Sequence, residues 1–182
     1  MSTSPLLTPV ESAFILHWGT MGEKWGVNRT VAQIHALLYL RLEPMDADAI
    51  GETLSIARSN VSTSLKELRD WELVKSVRPL GQRKECFATD ADPWNLFMTV
   101  MDQRKKREID PTLKLLKELA EQSAKDKKES AVARARILAM GEMITAMDNW
   151  YASARALPRP ALEAFLRAGS GLAGMVMSLK KK

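Results

Sequence analysis

The segment Met45–Thr89 constrains the fold of this 182-residue chain more than any other, because it reads as two short helices and a hairpin around one apolar corner. On a helical wheel at ~100° per residue, Val61, Leu65 and Leu68 fall in one narrow arc. Ser59, Ser62, Thr63 and Lys66 fall on the opposite side. The helix carrying them is expected from Arg58 to Asp70, and the one before it from Asp46 to about Leu54. Asp46 and Asp48 lie in that first helix's opening turn, where the helix dipole favours acids. Ile50 and Leu54 are four apart, and Ile56 fills the connection. Two short helices sharing an apolar corner form a helix-turn-helix. Leu73–Val77 and Glu85–Ala88 then read as strands around a turn at Pro79–Gln82.

The polar side of the second helix suits a DNA major groove. Small residues let a helix approach base edges, hydroxyls donate or accept, and a threonine methyl can meet a thymine methyl. Lys66 can reach guanine or phosphate, while Arg58 and Asn60 flank the helix start, where phosphate contacts are usual. The hairpin brings Arg78, Gln82, Arg83 and Lys84 to its tip, as the wing of a winged helix would, along the backbone or into the minor groove. Within Arg58–Lys84, seven cations (Arg58, Lys66, Arg69, Lys75, Arg78, Arg83, Lys84) oppose Glu67, Asp70 and Glu72, a local +4 in a chain whose formal charge is +5. The excess is therefore concentrated in one segment, which an ordinary solvated helix pair does not explain.

The rest of the chain reads as mainly helical. A helix is expected over Val10–Thr20, followed by a loop marked by Gly19, Gly22 and Gly26. Thr30 and Gln33 form a capping-box pattern that opens a helix over Val31–Leu42. Beyond Pro93 the pattern is helical again. Pro111 should interrupt the first long helix, a second should cover Lys128–Ala156, and a last one Pro160–Leu179. The fold class expected is mainly α with a small β-hairpin wing: a winged helix-turn-helix plus long C-terminal dimerisation helices. Residues 1–92 would form the DNA-binding domain with its N-terminal helix. Residues 93–182 would form a helical dimerisation and effector-binding region, whose Met98, Met101, Leu113, Leu116, Leu119, Leu138, Ile144, Leu162, Phe165, Leu166, Leu172 and Val176 exceed what a small wing domain could cover.

Other signals exclude function classes. Cys86 is the only cysteine, so no disulfide framework or cysteine metal site forms within one chain, in keeping with a reducing cytoplasm. Cys86 itself reads as a structural thiol. His17 and His35 have no metal-ligand partner at the right spacing and read as core or interface residues. Gly169–Gly174 matches a dinucleotide fingerprint in letters, but no strand precedes it. No signal peptide or membrane span is expected. No catalytic set, metal or cofactor is expected either, and the chain does not read as an enzyme.

The run Trp25–Leu40, then Ser59-Asn60-Val61-Ser62 with Leu65-Lys66-Glu67-Leu68, then Gly81-Gln82-Arg83-Lys84, resembles the GbsR branch of MarR-like regulators, over about Phe14–Leu119. The resemblance implies a homodimer, a palindromic operator in double-stranded DNA, and repression. It also implies a small-molecule effector, a choline-like cation being the one associated with the branch. Where the family pattern has Leu-Gly-Ile-Ser before the recognition helix, this chain has Leu54-Ser55-Ile56-Ala57, and Ala57 removes the N-cap hydroxyl, a loss of roughly 1 kcal/mol. Quaternary ammonium ions are held by aromatic cages, so in this family context Trp18, Trp25, Trp94, Trp150 and Tyr151 are the effector-site candidates, with plain packing as their alternative role. The rival reading of the whole chain is a protein-interaction module that keeps the winged-helix fold without reading DNA.

Overall fold

The computed structural model describes residues 7–41, 43–80, 84–125, 130–164 and 167–168. Two compact units divide the chain, Met1–Lys105 and Lys106–Lys182. The division falls within the helical stretch that follows the hairpin rather than at its start.

In the first unit, α1 (Pro9–Lys24) and α2 (Arg29–Leu40) precede a two-residue strand β1 (Met45–Asp46), α3 (Ala47–Leu54), α4 (Arg58–Asp70), β2 (Val74–Val77), β3 (Cys86–Thr89) and α5 (Pro93–Arg104). The sheet is antiparallel in the order β1-β3-β2, with Asp46 opposite Cys86 on one side and Val77 opposite Cys86 on the other. Both hairpin strands lie one residue later than their sequence pattern indicated at the start, and β1 was not foreseen. Ile34 and Leu37 of α2, Ile50 of α3 and Val61 of α4 are fully buried and form the centre of the core. Each such side chain contributes roughly 1.5–3 kcal/mol relative to leaving it exposed.

Two helix boundaries differ from expectation. α1 runs through Gly19 and Gly22, which were expected in a loop. A Cβ at Gly22 would stand 2.6 Å from Ala32 Cβ, and one at Gly19 would stand 2.7 Å from Gln33 Cγ. Glycine is used here for the close approach of α1 to α2, and that packing overrides its poor helix propensity. Gly26, at φ +77°, is the glycine that does turn the chain. The capping box expected at Thr30 and Gln33 is absent. α2 begins one residue before Thr30, and Asn28 caps it by accepting from the Thr30 N–H at 2.8 Å. The reciprocal box sits instead at Thr8 and Glu11, at the start of α1.

The chain passes through a π-helical turn, Lys105–Ile109, into α6 (Asp110–Lys125), so Pro111 occupies a first turn, where its missing N–H costs nothing. α7 is Ala131–Arg155, and residues 159–164 are helical. Within the second unit α6 and α7 pack together, a Cβ at Gly141 being 3.9 Å from Leu116 Cβ. Ile137, Gly141, Ile144, Asp148 and Tyr151 form the half-buried side of α7. Met140, Met143, Met147 and Trp150, spaced three, four and three residues apart, form an exposed stripe. Phe165, Leu166, Leu172, Val176 and the Gly169–Gly174 run lie outside the described residues.

Candidate nucleic-acid interface

α4 starts at Arg58, as its pattern indicated, and it starts without a cap. Ala57 holds an extended conformation and makes no side-chain bond to the helix. The preceding turn is held by the Ile56 N–H donating to Gly51 O at 2.9 Å. Ser55 takes the left-handed conformation, φ 54° and ψ 44°, where the family pattern has glycine. Val61, Leu65 and Leu68 are buried, together with Ser64. Arg58, Ser59, Asn60, Ser62, Thr63 and Lys66 are all exposed, so the polar row stands clear of the core. The Thr63 hydroxyl donates back to Ser59 O at 3.0 Å, which spends its proton within the helix and leaves its methyl and lone pairs.

Beside α4 a cleft of about 740 Å³ opens toward the wing, lined among others by Asp46, Asp48, Arg58, Lys66, Arg69 and Lys84. Its charges are largely paired. Lys84 Nζ lies 2.9 Å from Asp48 and 3.4 Å from Asp46, Arg58 Nη1 lies 2.8 Å from Asp48, and Arg69 Nη1 lies 3.5 Å from Glu85. The Lys84 hydrogen bond, helped by the Arg58 charge, holds the Asp48 carboxyl below the usual carboxylate range. The same bond, with the charges of Asp46 and Asp48, holds the Lys84 ammonium above its ordinary value. Lys66 and Arg78 are exposed and make no ion pair among the described residues. Gln82 and Arg83 lie outside the described residues.

Asp46, Asp48 and Glu85 are the cleft residues that sequence reasoning missed as part of the site. A contiguous window from Arg58 to Lys84 does not contain the three carboxylates, and pairing of β1 with β3 is what carries Asp46 and Asp48 to the wing.

The aromatic candidates are divided between the units. In the first, Trp18 stacks on Phe14 with ring centroids 5.4 Å apart, Trp25 is exposed, and Trp94 is half-buried. In the second, Trp150 stands in the exposed stripe of α7, and Tyr151 is half-buried. His35 belongs to the core and His17 is exposed on α1. Cys86 is buried, its thiol is in no disulfide, and burial raises its pKa. Among the described residues no cluster of histidine, cysteine and carboxylates could hold a metal ion, and no helix is long and apolar enough to cross a membrane.

Residues 25–85, from the end of α1 to the wing, match the MarR family. The chain is 26% identical over 121 residues to the HTH-type transcriptional repressor GbsR of Bacillus subtilis (strain 168), covering 65% of this chain and 67% of that protein. It is 22% identical over 102 residues to the putative HTH-type transcriptional regulator YvaV of the same organism, covering 55% and 58%. Among solved structures it is similar to that of a transcriptional regulator, with a TM-score of 0.63, 17% identity, and coverage of 87% of this chain and 99% of that one.

Proposed function

We propose, from the premise that this chain is a MarR-like winged helix-turn-helix regulator and not an enzyme, that α4 reads DNA sequence in the major groove. The observation that carries this reading is the exposed row Ser59, Ser62, Thr63 and Lys66, set over a buried apolar row and beside the cations of the wing. Base edges are read by such side chains, and the exposed cations Lys66 and Arg78 supply attraction to the backbone.

The test is a pair of measurements on Thr63→Ala and Lys66→Ala: melting temperature, and the affinity ratio between an operator selected from random duplexes and random DNA at one fixed salt. Thermal stability should stay within about 0.5 kcal/mol, since both residues are exposed. Discrimination should fall by roughly 1–3 kcal/mol per half-site where the side chain makes a good base contact. Variants that keep the full ratio would remove α4 as the reader and favour the protein-interaction reading.

The active species in this proposal is a homodimer in the cytoplasm. Its support is the exposed stripe Met140, Met143, Met147 and Trp150 on α7, whose spacing is that of a helix–helix seam. A twofold dimer presents two copies of α4, so the operator would be palindromic. Repression is the mode carried by the name of the Bacillus subtilis GbsR. The effector we assign is a choline-like cation, which would bind on the faces of tryptophan rings. Adding choline should change tryptophan fluorescence and weaken operator binding, and Trp94→Ala, outside the α7 seam, should remove both responses. The effector assignment fails if no quaternary amine alters either signal, and the DNA reading stands apart from it.

A further inference from the structure

Two cations of the α4–wing cleft are held by carboxylates at the start of α3. Asp46 caps α3 by accepting from the Ala49 N–H at 2.8 Å. Asp48 sits in the first turn of the same helix, where the dipole favours a negative charge. Asp48 Oδ1 is 2.8 Å from Arg58, its Oδ2 is 2.9 Å from Lys84, and Asp46 Oδ2 is 3.4 Å from Lys84. A phosphate approaching Arg58 or Lys84 therefore meets a carboxylate beside its target. Lys66 and Arg78 present no such opposition among the described residues.

We propose that Asp48, backed by Asp46, sets the affinity for DNA by neutralising Arg58 and Lys84, so that duplexes of every sequence bind more weakly than the cation count of the site would give. The proposal rests on the DNA reading above. Sequence-independent affinity comes almost wholly from phosphate neutralisation, and carboxylates paired with Arg58 and Lys84 lower it. A carboxylate whose only task was to strut the wing would act in the opposite direction, because its removal would loosen the wing and weaken binding.

The experiment compares wild-type protein with Asp48→Asn, which keeps the shape and removes the charge, on a random-sequence duplex across a salt series. The variant should bind roughly threefold to tenfold more tightly at ~0.1 M salt, and the salt slope should steepen by about 0.9 for each cation freed. Its melting temperature should slip slightly, since α3 loses a favourable N-terminal charge. Tighter binding by a slightly less stable protein cannot come from better folding. Adding Lys84→Ala to Asp48→Asn should take back part of the gain. If wild-type protein binds the duplex and folded Asp48→Asn binds no tighter, Asp48 is a strut and the proposal is overturned. If neither binds at low salt while both are folded, the DNA reading falls and this inference falls with it.

Discussion

Met147→Lys should leave a folded monomer that has lost its hold on the operator. Met147 is 63% exposed, in the middle of the α7 stripe and away from the side packed on α6, so the substitution removes little from within the chain. In a homodimeric seam the same lysine would be an unpaired charge taken out of water, which costs several kcal/mol for each copy. A monomer holds only one half-site, so operator affinity should fall by roughly 100-fold or more. Sedimentation equilibrium at micromolar concentration and a binding titration on the same sample check both parts. A variant that remains a dimer and binds undiminished would put the seam elsewhere on the chain.

Stability should fall steeply as the pH drops from 6.5 toward 4, with His35 as the main cause. Its ring is buried, and its Nε2 lies 3.2 Å from Thr89 Oγ1. Thr89 in turn donates its own proton to Leu73 O at 2.6 Å, so Nε2 is the donor to Thr89 and the neutral ring carries its hydrogen there. Burial lowers the His35 pKa to about 4. An unfolded histidine titrates near 6.5. Between these values the unfolded chain binds a proton that the folded chain does not, so the stabilisation is complete above the upper value and is lost as the pH falls to the lower. The loss should reach about 3 kcal/mol. Melting curves of wild-type and His35→Gln protein between pH 7 and 4 provide the check. The variant's profile should be flatter over this window, and parallel profiles would show that His35 is not the titrating group.

The helix-turn-helix was legible because α4 separates Val61, Leu65 and Leu68 cleanly from Ser59, Ser62, Thr63 and Lys66, and a 3.6-residue period needs nothing from the rest of the chain. What failed to be legible depended on distant partners. Gly19 and Gly22 look like loop residues until Ala32 and Gln33 come within van der Waals reach. β1 is two residues long, too short to show any alternation, and exists through its pairing with β3. The charge of the site was overcounted for the same reason. Seven cations face three anions in the contiguous segment; the fold adds Asp46 and Asp48 from outside it, and Glu85 follows directly on its last residue. In α7 both sides are rich in apolar residues, so sequence could not say which side would be covered. Leu116 and Ile144 pack within the α6–α7 pair, while Met140, Met143 and Met147 remain outside it.

The bare N-terminus of α4 bears on how the unit loosens. Thr8, Asn28, Asp46, Asp92 and Ser130 each close a helix start with a side-chain bond, and Ala57 closes none. The residue two before it, Ser55, is held in a backbone conformation that disfavours any residue with a Cβ. Local preference at this corner thus opposes the native geometry, and the buried side chains of α2, α3 and α4 enforce it from below. Fraying is cheapest where the end of a helix has the fewest bonds to break. Of these six helix starts, the turn that carries Arg58, Ser59 and Asn60 is the one with no side-chain cap, and the exposed Arg58–Asp48 ion pair to α3 stands where a cap would, so loosening of that pair and fraying of the first turn of α4 are one event.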